Sequence, residues 1–290
     1  MTTDRRASGP RLRAGAACHD WRVNRLGGRV AVVTGAGGGI GSEVALVFAE
    51  HGAIVVANDV DPHSLGQTAL ACQRHTKESI AIVADVADSA AVNDMFVQVR
   101  QRFGRVDALV TVAGISSVAD RERENAARPS GAPDQPTYAV GIESMTDESW
   151  RRMLAVHLDG TFYCTRAAVS MMTEQKSGSI VCISSIAGLA GIGPFHYAAA
   201  KGGILGFVRS LARDLGPLGI RINAVSPGAI DAGMTRTHKP EVVAAFIPSV
   251  PLRRLGHARD IAYAALHLAS DESAYTTGQS LSPNGGVVIA

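Results

Sequence analysis

The chain has 290 residues, 46% of them hydrophobic and 19% charged, with a formal net charge of +2. That length and apolar content suffice for a sizeable core in one α/β domain, and so small a charge excludes a general nucleic-acid-binding field. No run approaches the roughly 18 apolar residues of a membrane span and no signal-peptide core precedes the first strand, so the expected setting is cytoplasmic, without membrane or nucleic-acid partners.

Residues 1–25 include Arg5, Arg6, Arg11, Arg13, Arg22 and Arg25 without apolar periodicity, which predicts a disordered basic tail ahead of a domain over 26–290. Cys18, Cys72, Cys164 and Cys182 lack metal-ligand spacing and read as free thiols, so no metal is expected. The first apolar run, Val30-Ala31-Val32-Val33, leads into TGAGGGIG over Thr34 to Gly41 and then a helix-like SEVALVFAEHG. A buried strand ending in such a turn is a candidate dinucleotide site. Gly35, Gly39 and Gly41, with Gly37 in the same turn, leave the backbone open to a pyrophosphate, and a helix starting near Ile40 aims its free N–H groups there. The next strand, Ala53 to Asn58, ends at Asp59, about 20 residues beyond the glycines, where a carboxylate accepts from ribose hydroxyls and repels a 2′-phosphate. NAD is therefore the expected cofactor.

Further β-rich runs follow at Ile80 to Ala84, Asp107 to Val112, Ser179 to Ile183 and Ile220 to Val225, with a last strand near Gln279 to Ser282. Apolar strands separated by helix-length segments predict a doubly wound parallel sheet of about seven strands with helices on both faces. Two stretches break the alternation. Residues 115–146 form a long Pro- and Gly-containing loop leaving the carboxyl end of the fourth strand, and residues 228–251 suit a substrate lid. Phe195, Ile192, Met234 and Phe246 suggest an apolar substrate pocket.

Ser184 and Ser185 close the fifth strand, and Tyr197 and Lys201 follow four apart on one helical face. A neighbouring ammonium favours the phenolate of a tyrosine, which then serves as acid and base while a serine hydroxyl holds the substrate oxygen.

In this order the motifs resemble the short-chain dehydrogenase/reductase family from about Leu26 to the end of the chain. The matching residues are TGAGGGIG, Asp59, Asp85-Val86, Ala113-Gly114, Ser185, Tyr197, Lys201 and Pro227-Gly228, with PLRRLGHARDIAYAALHLAS and TGQSLSPNGG near the C-terminus. The resemblance implies a Rossmann-type fold and hydride transfer with Tyr197 as acid/base and Ser185 orienting the substrate. Lys201 would hold the nicotinamide ribose and lower the Tyr197 pKa. Cofactor contacts are implied at Ile40, Asp85, Val86, Ala113, Gly114, Pro227, Gly228 and Ile230, beside the glycines and Tyr197 and Lys201. It also implies a homo-oligomer, commonly a tetramer, built through the helix near Trp150 to Glu174 and the Tyr/Lys helix.

Four positions depart from the family pattern. Thr111-Val112-Ala113-Gly114 stands for the usual N-N-A-G, and Ala232 for a usual Thr. Ser185 lies 12 residues before Tyr197 where 13 is usual, leaving Ser184 as a competing hydroxyl. His157 stands where the family has an Asn that holds a relay water; in that role it predicts an acid limb in activity not far from about pH 6.5, shifted downward if the Lys201 ammonium dominates, and otherwise it is a structural histidine. The expected activity is NAD-dependent interconversion of a secondary alcohol and its ketone. The alternatives are an NADPH-dependent reductase of 3-oxoacyl thioesters and a catalytically inactive cofactor-binding protein.

Overall fold

The computed structural model describes residues 24–116, 142–143, 145–237 and 240–289. Residues 1–23, most of the predicted long loop and the Met234 side chain lie outside the described residues. At the predicted tail boundary Arg25 forms an ion pair with Glu272, and Leu26 is fully buried. Arg25 thus packs with the domain.

Seven strands form the sheet: β1 (Val30–Thr34), β2 (Ile54–Asp59), β3 (Ile80–Val83), β4 (Ala108–Thr111), β5 (Gly178–Ile183), β6 (Ile220–Val225) and β7 (Ser280–Leu281). Their order is β3-β2-β1-β4-β5-β6-β7, and every pairing is parallel. This is the doubly wound, Rossmann-type arrangement. Every residue of β1 and β4 is buried, because helices cover both faces of the sheet centre. On one face lie α1 (Gly39–Glu50), α2 (Pro62–Gln73) and α9 (Ala258–Ala269), contributing Phe48, Leu65 and Leu266 to the core. On the other lie α3 (Ser89–Phe103), α5 (Gly160–Gln175) and α7 (Phe195–Leu215), contributing Met95, Met172 and Ile204. Each such side chain contributes about 2 kcal/mol relative to exposure.

Strand order reverses between β1 and β4, so their carboxyl ends open a crevice rather than continuing the layer. Local sequence fixes what enters it. Asp61 caps α2 by accepting from the N–H groups of His63 and Ser64 with Pro62 at the first turn, so the cap is not Asp59. From Asp147 to Gln175 the chain is one helical rod in three parts: α4 (Asp147–Leu154), a π turn (Ala155–Asp159) and α5. Two short pieces complete the set, α6 (Ile186–Ala190) after β5 and α8 (Pro240–Phe246) in the predicted lid.

Candidate active site

The glycine turn is dictated by close backbone approach. A Cβ on Gly41 would stand 2.0 Å from the Gly35 carbonyl oxygen, and one on Gly35, whose φ is 66°, would stand 2.7 Å from Ala113 Cα. Gly39, at φ 57°, also needs the left-handed region. The residue before α1 is Gly38, with no side-chain cap, and the first turn holds no acidic residue, leaving its N–H groups and positive dipole end for an anion.

Asp59 ends β2 beside this turn. Its Oδ2 accepts from Gly37 N–H at 2.8 Å, and its Oδ1 accepts from Val60 N–H at 2.7 Å and Asp61 N–H at 3.2 Å. Gly37 itself does not line the cleft. Any Cβ there would meet the Asp59 Cγ at 2.8 Å and Ser64 Oγ at 2.7 Å, so the predicted contact residue instead fixes the carboxylate.

All other predicted site residues line one cleft of about 430 Å³ at the carboxyl ends of the strands: Gly35, Gly39, Ile40, Gly41, Asp59, Asp85, Val86, Ala113, Gly114, His157, Ser185, Tyr197, Lys201, Pro227, Gly228 and Ile230. That volume and the open glycine backbone fit an extended dinucleotide. Of the predicted apolar pocket, Ile192, Phe195 and Phe246 are absent from its walls, and Phe195 stacks on Trp150 with centroids 6.5 Å apart.

The two serines separate by geometry. Ser184 is buried and its Oγ donates to the Lys201 carbonyl at 2.8 Å, which commits it to joining β5 to α7. Ser185 caps α6, accepting from Ala187 N–H at 3.1 Å, and its hydroxyl pulls the Tyr197 pKa down. Gly188 lets α6 press against α7, since a Cβ there would lie 2.6 Å from the Lys201 carbonyl. Lys201 Nζ donates to the Ile183 carbonyl at 2.7 Å and lies 5.7 Å from the Tyr197 ring centre. Burial pushes the Lys201 pKa down to about 7, offset only in part by the Cys182 thiol among the described residues. Burial also raises the Tyr197 pKa, and the opposing pull comes from Ser185 rather than from Lys201 as the sequence suggested.

His157 sits in the π turn, fully buried, its ring edge-on to Tyr197 at 5.3 Å. Its Nε2 lies 3.0 Å from both the N–H and the carbonyl oxygen of Ile115, and its Nδ1 has no partner among the described residues. Its ring occupies the space a side chain at Gly114 would need, 2.3 Å from that Cβ position. Desolvation first, and the Lys201 charge second, lower its pKa to about 3. The shift has the downward direction expected of a neighbouring ammonium, with burial as its larger cause, and it leaves the imidazole neutral at pH 6.5.

The family described as Enoyl-(Acyl carrier protein) reductase matches residues 35–288. A 3-oxoacyl-[acyl-carrier-protein] reductase of Thermotoga maritima is 35% identical over 266 residues, covering 91% of this chain and 100% of the relative. The chain belongs to the short-chain dehydrogenase/reductase family. Within that family the (2S)-[(R)-hydroxy(phenyl)methyl]succinyl-CoA dehydrogenase subunit BbsD of Thauera aromatica is 39% identical over 259 residues, 89% of this chain and 96% of the relative. Among solved structures, gox2181 superposes with a TM-score of 0.79 at 33% identity, covering 91% of this chain and 96% of that one. Levodione reductase gives 0.77 at 31%, covering 91% and 98%.

As a short-chain dehydrogenase/reductase, the protein is an oxidoreductase that binds a nicotinamide cofactor. At Val112 and Ala113, within the departure from N-N-A-G, Thr34 Oγ1 accepts from both backbone N–H groups at 3.1 and 3.2 Å, while the Thr161 hydroxyl donates to the His157 carbonyl at 2.7 Å. Ala232 does line the cleft, together with Gly233 and Thr235 from the predicted lid. Sequence reasoning missed Arg152 and Val156, which reach the cleft from the rod that carries His157. Their spacing of four was the available signal, but only the fold sets it opposite Asp85.

Proposed function

We propose that the protein interconverts the carbonyl and hydroxyl of an acyl thioester, in the manner of a 3-oxoacyl thioester reductase, with NAD(H) as cofactor. The observation that carries the reaction is the Ser185–Tyr197–Lys201 arrangement inside the same cleft as the glycine turn and Asp59. The thioester is favoured over a simple secondary alcohol by the relatives' own substrates, a 3-oxoacyl carrier protein in one and a hydroxyl-bearing succinyl-CoA in the other. The bound nicotinamide supplies or takes up the hydride. Tyr197 Oη gives its proton to the carbonyl oxygen in reduction and regains it in oxidation, with Ser185 Oγ holding that oxygen. The Lys201 ammonium would hold the nicotinamide ribose. His157, with Nδ1 unpartnered among the described residues, would hold a water at the place the family gives to Asn. Ile40, Val86, Gly114 and Ile230 would pack on the dinucleotide.

The helices carrying these groups also support a homotetramer. Phe162 on α5 is 42% exposed and meets Phe207 of α7 edge-on, an apolar face of the kind a second copy covers.

NAD preference follows from Asp59, whose position is locked by three backbone N–H groups and whose charge opposes a 2′-phosphate. Asp59→Ala is expected to weaken NADH binding about ten-fold and to narrow its advantage over NADPH, since a charge-assisted bond is worth about 1.5–3 kcal/mol. The test is steady-state reduction of acetoacetyl-CoA and of plain ketones with each cofactor. Faster turnover of the plain ketones overturns the thioester reading, and equal or better use of NADPH by the unmodified protein overturns the cofactor reading.

A further inference from the structure

We propose that Arg152 is a specificity-determining residue for the cofactor, its guanidinium held by Asp85 over the outer end of the cleft so that it lies flat on the purine base. The proposal rests on the dinucleotide reading above and adds a residue to it.

The cleft has a direction. Strand order sets it: Ser185 follows β5 on one side, with Tyr197 and Lys201 on the helix after it, the glycine turn follows β1 in the middle, and Asp59 at the end of β2 and Asp85 after β3 lie on the other side. On the β2 and β3 side the lining includes Val60 and Val86 beside Asp85, and the rod brings Val156 and Arg152, the latter paired with Asp85. Valine walls suit a flat aromatic base far better than a sugar or a phosphate. Among the described lining residues Arg152 and Lys201 are the only Lys or Arg side chains, and Lys201 belongs to the opposite end.

Asp85 is a fixed post. Its Oδ1 accepts from Ala87 N–H at 2.9 Å, leaving Oδ2 for the guanidinium. Both terminal nitrogens of Arg152 reach that one oxygen, at 3.4 and 3.3 Å, longer than the usual 2.7–2.9 Å of a charge-assisted pair. The side chain remains 51% exposed. A pair so long and so wet adds little to stability. It nevertheless restrains the guanidinium from its edge and leaves the planar face uncovered, which is the face that stacks on an aromatic ring. Arg152 and Val156, four apart on the rod, would then hold the base from its rim and its floor. A lysine cannot substitute, because a point-like ammonium has no face to stack.

The experiment is calorimetric titration of the full chain, unmodified and as Arg152→Ala and Arg152→Lys, with NADH, ADP-ribose and nicotinamide mononucleotide, alongside thermal melts. Arg152→Ala is expected to weaken NADH and ADP-ribose by the same factor, about ten-fold, to leave nicotinamide mononucleotide unchanged and to leave Tm unchanged. Arg152→Lys is expected to recover less than half of that loss. Full recovery by lysine means that charge alone matters and overturns the stacking assignment, as does an unchanged affinity in Arg152→Ala or an equal loss for the mononucleotide. If the unmodified protein binds neither NADH nor ADP-ribose, the dinucleotide reading itself fails and this inference with it.

Discussion

Tyr197→Phe is expected to reduce turnover by about a thousand-fold while leaving NADH affinity within about two-fold. The ring keeps its packing against His157 and its place above the Lys201 ammonium, and only the hydroxyl that exchanges the proton is lost. Ser185 keeps its own cap to Ala187 N–H. Lys201→Ala provides the contrast. Its ammonium is buried against the Ile183 carbonyl at the floor of the cleft, so its loss is expected to impair both turnover and binding, and to open space under the phenol. Rapid-mixing kinetics together with a binding titration separate the two. Substantial turnover by Tyr197→Phe would falsify the assignment of Tyr197 as acid/base.

Acid should destabilise the protein through His157. The folded-state pKa, about 3, lies below the ordinary value of 6.5, so in the window between them the unfolded chain takes up a proton that the folded chain refuses. Stability is therefore lost as pH falls, by about 1.5 kcal/mol between pH 6.5 and pH 5 from this group alone. His157→Asn removes the titration, and its urea-unfolding free energy should depend less steeply on pH over that window by the same amount. The activity profile of the same variant should keep its shape near pH 6.5, since the imidazole is neutral there in the folded protein. Parallel stability curves for the two proteins would show that the histidine titrates freely and is not buried as described.

The contrast between these two residues marks how far the sequence could be read. Tyr197, Lys201, Asp59 and the glycine turn announce themselves because their spacing is local and their place after a strand is fixed by the doubly wound sheet. All seven strands were located within about two residues for the same reason, apolar runs between helix-length segments. His157 was legible as a position but not as a charge state, since its pKa depends on burial and on Lys201, which lies 44 residues further along the chain. The choice between Ser184 and Ser185 turned on one hydrogen bond from Ser184 to the Lys201 carbonyl, a contact between β5 and α7 that no spacing rule contains. Gly37 carries a role that the motif does not announce, seating Asp59 through its backbone N–H. Arg152 carried no motif at all, and it gains meaning only because the fold sets α4 opposite the end of β3.

The π turn at Ala155–Asp159 acts as a phase shifter in the rod from Asp147 to Gln175. Such a turn is the footprint of one added residue, and each α-helical residue accounts for about 100° of rotation. Excising a single residue there would leave a continuous α-helix, still able to pack through Met171 and Met172, but with its N-terminal half rotated by that angle. Arg152 and Trp150 would swing off their present bearings while Phe162 and Cys164 kept theirs. The extra residue thus fixes the azimuth of the half that meets the cleft relative to the half that meets the core.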